Sequence, residues 1–207
     1  QIVGGGWTTH HQFDGSAAGD HLGESVSGAG DVDGDGFADL IVGAYGADPG
    51  GLSFAGSAYV YSGKTGALLH QFDGSAADDR LGYSVSGAGD VDGDGFADLI
   101  VGAYGADPGG LTLAGSAYVY SGLTGALLHQ FDGSAADDYL GNSVSGAGDV
   151  DGDGFADLIV GAYGADPGGL STAGSAYVYS CTAHIVPAPN SASESNAATA
   201  VYVHDYT

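Results

Sequence analysis

An internal repeat of 59 residues constrains the fold of this chain more than any other feature of its sequence. The hexapeptide His-Gln-Phe-Asp-Gly-Ser begins at His11, at His70 and at His129. A chain of this kind is expected to fold as an array in which each unit contacts its neighbours. The repeats divide it into a predicted N-terminal strand (1–10), three repeats (11–69, 70–128 and 129–180) and a linker with a C-terminal strand (181–207).

Each repeat contains four segments with the properties of β-strands. In the second repeat, residues 98–104 are apolar almost throughout, as expected of a strand covered on both faces, and residues 116–121 alternate. The pattern predicts strands at 84–89, 98–104, 116–121 and 126–131, with a turn at 106–110. Four short strands per repeat predict an all-β fold of three tandem four-stranded blades of the β-propeller type.

An acidic nonapeptide, Asp-Val-Asp-Gly-Asp-Gly-Phe-Ala-Asp, lies between the first two strands of every repeat. We call residues 31–39, 90–98 and 149–157 the Asp loops. Four carboxylates in nine residues repel one another unless they are neutralised, and Ca²⁺ prefers six to eight oxygen ligands. An EF-hand is unlike this loop, because position twelve is Val42, Val101 or Val160 and both flanks are strands. The sequence therefore predicts three Ca²⁺ sites.

The motifs around the Asp loops resemble a known family. Leu81-Gly82 precedes one loop and Gly102-Ala103-Tyr104 follows it. Residues 11–180 are similar to the FG-GAP repeats of integrin α-subunit propellers, with Leu in place of Phe and Tyr in place of Pro. The resemblance implies that four Asp side chains and one Phe carbonyl bind Ca²⁺ in each loop. We expect a structural role for the ion, because it neutralises the carboxylates and ties the first strand to the second. The implied ligands are Asp31, Asp33, Asp35, Phe37 and Asp39, then Asp90, Asp92, Asp94, Phe96 and Asp98, and finally Asp149, Asp151, Asp153, Phe155 and Asp157.

Charge and composition exclude several classes of partner. A formal net charge of −24, with one Lys and one Arg, excludes nucleic-acid binding. No apolar run approaches the ~20 residues of a membrane span. A single cysteine, Cys181, excludes an internal disulfide. Because loops of this type fill best at millimolar Ca²⁺, we expect an extracellular protein, secreted or at the cell surface, and the absence of Met together with a start at Gln1 fits export.

Differences between the repeats indicate where a partner would bind. The first two repeats differ at six positions, and five of these lie in connections at the end of the blades opposite the Asp loops. Neutral change in exposed loops would give the same pattern. The partner-binding candidates are Phe54, Arg80, Tyr83 and Tyr139.

Three blades are fewer than the four to eight of closed propellers, so strand edges are expected to be open. Segments 1–5 and 200–204 resemble blade strands and would complete a blade within the chain or in a neighbouring subunit. Reactive residues are repeated instead of converging on one unique site, so we expect no enzyme. One hypothesis is a calcium-stabilised structural or adhesive surface protein that forms a homo-oligomer or filament. The other is a calcium-dependent binding module for a glycan or protein ligand.

Overall fold

The protein, described by a computed structural model over residues 7–180, is all-β. Each sheet is antiparallel with its strands in chain order. Blade 1 contains β1 (Val26–Gly30), β2 (Asp39–Ala44), β3 (Ser57–Tyr61) and β4 (Leu68–Asp73). Blade 2 contains β5 (Ser84–Gly89), β6 (Asp98–Ala103), β7 (Ser116–Tyr120) and β8 (Leu127–Asp132), and blade 3 contains β9 (Leu140–Gly148), β10 (Asp157–Ala162) and β11 (Ser175–Tyr179). Single 3₁₀ turns occupy Pro49–Gly51, Pro108–Gly110 and Pro167–Gly169.

The predicted all-β array of blades is confirmed. The four strands predicted in the second repeat agree with β5 to β8 to within one or two residues at each end. In blade 3, residues up to 180 supply three strands, because the repeat pattern stops before the fourth. The sheets do not close into a ring within the described residues. The repeat boundaries at 69/70 and 128/129 fall inside β4 and β8, so the sequence repeat and the blade have different phases.

The sequence pattern explains which strands lie at the centre of each sheet. Every residue of β6 is buried, in agreement with its continuous apolar sequence. The neighbouring strand β7 pairs with it from Leu99 opposite Tyr120 to Ala103 opposite Ser116. The outer strand β8 is largely exposed, with no buried residue, in agreement with its mixture of apolar and polar residues. This arrangement places the Asp loops, which connect first and second strands, at one end of the blades.

Blades pack against one another through two apolar clusters. Val85 at the start of blade 2 packs with Ile41 of blade 1, and its N–H donates to Ser25 Oγ at 3.0 Å. The contact recurs one blade further on, where Val144 N–H donates to Ser84 Oγ at 3.0 Å. Glycine allows this close packing, because a Cβ at Gly43 or Gly102 would overlap the carbonyl oxygen of the next blade. Each junction is thus a repeated, sequence-specified interface.

Both ends of the array expose residues that are buried at internal junctions. We call the surface of blade 1 that points away from blade 2 the leading face, and the surface of blade 3 that points away from blade 2 the trailing face. Val26 on the leading face is 65% exposed, whereas its equivalents Val85 and Val144 are 5% and 6% exposed. The described residues contain no helix long and apolar enough to cross a membrane. The predicted terminal strands, 1–5 and 200–204, lie outside these residues.

Candidate functional site

The Asp loops are held in shape by their own backbone amides. In the first loop, Asp31 accepts hydrogen bonds from the N–H groups of Asp35 (3.1 Å) and Gly36 (2.9 Å). The N–H of residue 37 donates to Asp35 Oδ1 at 2.9 Å. Equivalent bonds form in the other two loops. The N–H of Gly95 donates to Asp90 at 2.9 Å, and the N–H of Gly154 donates to Asp149 at 3.0 Å. These bonds turn the chain tightly, so that alternate carboxylates lie on one side.

Three carboxylates in each loop come within 4.8 Å of one another, counting one oxygen from each residue. In every loop one of the four predicted Asp ligands lies outside this distance. In the first loop it is Asp35, whose carboxylate forms an ion pair with Lys64 at 3.5 Å. In the second and third loops it is Asp98 and Asp153. The close groups are Asp31, Asp33 and Asp39, then Asp90, Asp92 and Asp94, and then Asp149, Asp151 and Asp157.

The last Asp of each loop is fully buried, and in blades 1 and 2 it connects the loop to the turn between the third and fourth strands. Asp98 Oδ2 accepts the N–H of Val91 at 2.8 Å, and its Oδ1 accepts the N–H of Gly122, in the β7–β8 turn, at 3.1 Å. Burial raises the pKa of Asp98 to about 6, and the charges of Asp92 and Asp94 add to the increase while the two backbone bonds oppose it. A buried carboxylate therefore carries an electrostatic cost in the metal-free protein.

The donor set fits a hard divalent cation. All the side chains in the close groups are carboxylates, which Ca²⁺ and Mg²⁺ prefer and which the softer metals do not. Among residues 7–180, the ion pair between Lys64 and Asp35 is the one salt bridge. The clusters in blades 2 and 3 have no equivalent lysine, because Leu123 replaces it in blade 2 and the repeat ends before it in blade 3. The carboxylate groups can therefore hold a metal ion.

The Phe residues of the Asp loops make a contact that sequence analysis missed. The Phe96 ring packs on Gly34 of the preceding loop, where a Cβ would lie 2.6 Å from the ring edge, and Phe155 packs on Gly93 in the same way. The N–H of Ala97 also donates to the Asp31 carbonyl, at 3.4 Å. The sequence indicates such a contact, because the same aromatic residue is present in all three Asp loops, although an exposed loop does not require one. Successive Asp loops therefore contact each other across the blade junctions.

The four partner-binding candidates come together at the other end of the blades. The Arg80 guanidinium lies over the Tyr104 ring, 5.1 Å from its centroid, and donates to the Tyr104 hydroxyl. Tyr83 and Tyr139 pack around the same ring, with centroid distances of 4.4 and 6.2 Å. The Arg80 N–H donates to the Phe54 carbonyl at 3.0 Å. Four connections between strands thus form one surface centred on Tyr104.

This surface extends across all three blades as a row of rings. Tyr104 and its equivalents Tyr45 and Tyr163 are not among the partner-binding residues predicted from the sequence, because that prediction uses positions at which the repeats differ. The row continues from Tyr104 to Tyr139 and Tyr163, whose rings stack at 4.9 Å. Its six members are His21, Tyr45, Tyr83, Tyr104, Tyr139 and Tyr163.

The same surface carries the strained backbone of the molecule. In the described chain, every non-glycine residue with a positive φ stands at one of three equivalent positions in the repeat. The three copies of the repeat differ in sequence at each of these positions. They are Asp78 and Asp137, then His21, Arg80 and Tyr139, and then Phe54, Leu113 and Thr172. This conformation costs roughly 1–2 kcal/mol per residue and is concentrated at functional sites in proteins.

Comparisons with known proteins agree with this structure. The model of the FG-GAP repeat matches residues 22–61, 81–120 and 140–179. The chain is 34% identical over 173 residues to integrin alpha-5 of Xenopus laevis, and 33% identical over 171 residues to integrin alpha-V of Gallus gallus. Each alignment covers 75% of this chain and 16% of the relative.

Integrin alpha-PS2 of Drosophila melanogaster is 32% identical over 189 residues, which cover 80% of this chain and 13% of that relative. The chain therefore spans about a sixth of the length of these relatives. The family match covers more than half of the chain, and each matched range contains the first three strands of one blade with its Asp loop. On the repeats, the blades and these relatives together, the chain belongs to the FG-GAP repeat family.

Proposed function

We propose that this protein is a calcium-stabilised, extracellular structural or adhesive protein without catalytic activity, and that it self-assembles through the open ends of its blade array. The observation that carries the proposal is the close group of carboxylates in every Asp loop, three times over, at positions that join strands and blades. Ca²⁺ is the proposed cation, because flexible loops rich in carboxylates suit its high coordination number. The proposed ligands are those named from the sequence, including the Phe carbonyls.

Calcium would act on stability through the junctions. The Asp loops of blades 1 and 2 each contact the loop of the next blade through a Phe ring and a backbone hydrogen bond. A cation that neutralises the carboxylates would remove their mutual repulsion and would hold the loop in the shape that this contact requires. Three ions would change the formal charge from −24 to −24 + 6 = −18.

Adhesion and an extracellular location are proposed from the family. The relatives are integrin alpha chains, and the three matched segments include the Asp loops. Free Ca²⁺ is millimolar outside cells, where acidic loops of modest affinity fill. The proposed location is therefore at the cell surface or in the secreted fraction.

Calcium removal tests the first part of the proposal. We expect the midpoint of thermal unfolding to rise with CaCl₂ and to fall in EDTA, and isothermal titration to give three sites per chain. A variant with Asp92→Asn and Asp94→Asn should lose one Ca²⁺ site. The control is Asp107→Asn, which changes an acidic residue outside the Asp loops. An unchanged midpoint in EDTA would refute calcium stabilisation.

A calcium-dependent binding module is the second candidate, and the surface around Tyr104 favours it. There Arg80, Tyr83 and Tyr139 meet in a region of strained backbone where the repeats differ. Aromatic rings beside a guanidinium suit a glycan or a protein ligand. Arg80→Ala and Tyr139→Ala should abolish binding on a glycan or extracellular-matrix protein array while the thermal midpoint in calcium stays within a few degrees. Binding that survives both substitutions would exclude this surface.

A further inference from the structure

We infer that Lys64 is an intramolecular counter-ion of the first Asp loop, and that it weakens Ca²⁺ binding there relative to the second and third loops. The chain would then pass through a form with two bound ions before it binds the third. This inference rests on the proposed calcium sites and assigns them different affinities. It is carried by a comparison within one molecule, because the three Asp loops have the same nine residues.

The turn between β3 and β4 places Lys64 beside the first Asp loop. The N–H of Gly63, the preceding residue, donates to Oδ1 of the buried Asp39 at 3.0 Å. The Lys64 ammonium lies 3.5 Å from Asp35 Oδ2 and 4.8 Å from the centroid of the Phe37 ring. The turn therefore fixes position 64 next to the carboxylates, and lysine supplies a positive charge there.

Both carboxylate oxygens of Asp35 have partners in this arrangement. Its Oδ1 accepts the N–H of Phe37 at 2.9 Å, and its Oδ2 forms the ion pair with Lys64. Asp35 is also the carboxylate that lies outside the close group of the first loop. A cation that takes Asp35 as a ligand must therefore displace the ammonium or share the carboxylate with it.

The turn between β7 and β8 brings a leucine to the equivalent place beside the second loop. The Gly122 N–H donates to Oδ1 of the buried Asp98 at 3.1 Å, which repeats the bond from Gly63 in blade 1. The next residue is Leu123, which is 44% exposed and carries no charge. The two blades thus share the backbone arrangement of the turn, and the side chain that follows the glycine differs.

Where the lysine is absent, the equivalent carboxylate joins the others. Asp94 is the equivalent of Asp35, and its Oδ1 accepts the N–H of Phe96 at 2.8 Å. Asp94 forms no ion pair among residues 7–180. Unlike Asp35, it lies in the close group of its loop, with Asp90 and Asp92. The same nonapeptide therefore gathers a different set of carboxylates in the absence of the positive charge.

The backbone hydrogen bonds within the loops show the same division. In the second and third loops, the N–H groups of Gly93 and Gly152 donate to Oδ1 of the first Asp, both at 2.7 Å. In the first loop, the N–H of Asp35 donates to Asp31 Oδ1 instead, at 3.1 Å. The loop beside the lysine is therefore the one with different internal hydrogen bonds.

Lys64 is the one sequence difference near the Asp loops between the first two repeats. The other five differences lie in connections at the opposite end of the blades. The first loop also has different neighbours, because the Lys64 ammonium lies over the Phe37 ring, whereas the Phe96 ring lies on Gly34 of the preceding loop. A decisive test therefore moves the lysine from one blade to the other and leaves the blades unchanged.

The third loop has no lysine beside it, because Lys64 is the one lysine of the chain. Asp157 in this loop is fully buried, and its Oδ1 accepts no hydrogen bond from residues 7–180. Its equivalents Asp39 and Asp98 each accept the N–H of a turn glycine at Oδ1. A buried carboxylate oxygen without a donor carries an electrostatic cost that a cation removes. We therefore group the third site with the second as a tight site.

The size of the expected difference follows from charge and exposure. A Ca²⁺ ion bound at the carboxylates of the first loop would be close to the Lys64 ammonium, and the two cations would repel each other. The side chains of Lys64 and Asp35 are 47% and 23% exposed, so water and salt screen this repulsion in part. We expect the dissociation constant of the first site to exceed those of the other two by about three- to tenfold.

Reciprocal substitutions test the inference by isothermal titration of the full chain with CaCl₂. Lys64→Leu should tighten the weak site by about three- to tenfold, and Leu123→Lys should weaken one tight site by a similar factor. Lys64→Arg keeps the charge and should keep the weak site. The control is Leu111→Lys, which adds the same charge at a residue that is 40% exposed in the β6–β7 connection, at the opposite end of blade 2. It should leave all three dissociation constants within about twofold.

A combined variant identifies the loop that contains the weak site. Asp92→Asn with Asp94→Asn removes the second site, and in an otherwise wild-type chain it should leave one tight site and one weak site. In a chain that also carries Lys64→Leu and Leu123→Lys, the same pair should leave two tight sites. The reason is that the lysine then lies beside the loop that has been removed from the titration.

The possible results separate the inference from the function on which it rests. Three equal sites in the wild type, or a weak site that Lys64→Leu leaves unchanged, would overturn the role of Lys64 and leave the calcium sites in place. A chain that binds no Ca²⁺ would overturn the calcium sites and the inference with them. Circular dichroism in calcium checks that each variant is folded, and Lys64→Gln takes the place of Lys64→Leu if the leucine variant does not fold.

Discussion

At the residue scale, substitutions of single glycines by alanine show how much a blade junction contributes to the free energy of unfolding. Gly93 and Gly152 are equivalent and have φ values of 77° and 82°, so alanine carries a similar backbone cost of roughly 1 kcal/mol at either position. They differ in their neighbours, because a Cβ at Gly93 would lie 2.7 Å from the Phe155 ring. We expect Gly93→Ala to lower the free energy of unfolding by about 2–3 kcal/mol, through the added cost of moving a packed ring.

We expect Gly152→Ala to lower the free energy of unfolding by about 1 kcal/mol in dilute, unassembled protein. Gly95→Ala is a further control, because Gly95 has a φ of 90° and no described neighbour within 4 Å of a Cβ. Urea denaturation in calcium measures all three variants. Equal losses at residues 93 and 152 would contradict the proposed importance of the ring contact.

The buried Asp98 predicts opposite pH dependences with and without calcium. Its pKa in the metal-free fold is raised from 3.8 to about 6, so the folded state binds the proton more tightly than the unfolded state. The resulting stabilisation is complete below about pH 4 and is lost as the pH rises through 6. In EDTA, the thermal midpoint should therefore fall between pH 5 and pH 7.

In excess calcium the midpoint should rise over the same range, because protons compete with the cation for the carboxylates. Differential scanning calorimetry at both pH values, with the Asp98→Asn variant alongside, measures the two slopes. The variant should show a flatter dependence in EDTA. A midpoint in EDTA that rises from pH 5 to pH 7 would contradict the prediction.

At the scale of elements, the fourth strand is the component that contributes to two interfaces. Phe72 in β4 is buried and stacks on Tyr120, whereas Phe13 stacks on Tyr61 in the same way but remains partly exposed. We expect Phe72→Ala to cost about 3–5 kcal/mol of unfolding free energy, which is the usual range for a buried Phe. Phe13→Ala should cost less, about 1–2 kcal/mol in unassembled protein, because part of the ring's surface stays in water.

Urea titration at a protein concentration below the onset of assembly gives both values. If assembly buries Phe13, the cost of Phe13→Ala should grow with protein concentration, and the cost of Phe72→Ala should not. A cost of Phe13→Ala that is the same at all concentrations would argue against a two-sided role for this segment.

For the whole molecule, charge opposes assembly. The chain has a formal charge of −24, so two copies repel each other over distances comparable to the Debye length of about 10 Å at 0.1 M salt. At constant saturating CaCl₂, raising NaCl from about 10 to 150 mM should increase the assembled fraction in sedimentation velocity. Assembly that weakens over this range would indicate an interface made by ion pairs instead of apolar contacts.

The sequence alone determined the architecture, because nearly identical repeats require nearly identical units. The strands β5 to β8, the Asp loops and the contrast between the buried β6 and the largely exposed β8 all follow from patterns of two to nine residues. The grouping of the candidate ligands also follows locally, since three of four carboxylates in each loop come within 4.8 Å of one another.

Only the tertiary structure decided what lies between the blades. No local pattern shows that the Phe96 ring rests on Gly34, that Arg80 lies over Tyr104, or that the His11 ring contacts the Gly63 carbonyl. These contacts join residues that are 24 to 62 positions apart, and their existence depends on the angle at which two blades stack. The sequence specifies each blade, whereas the stacking decides which copies of the same residue are buried and which remain exposed for a partner.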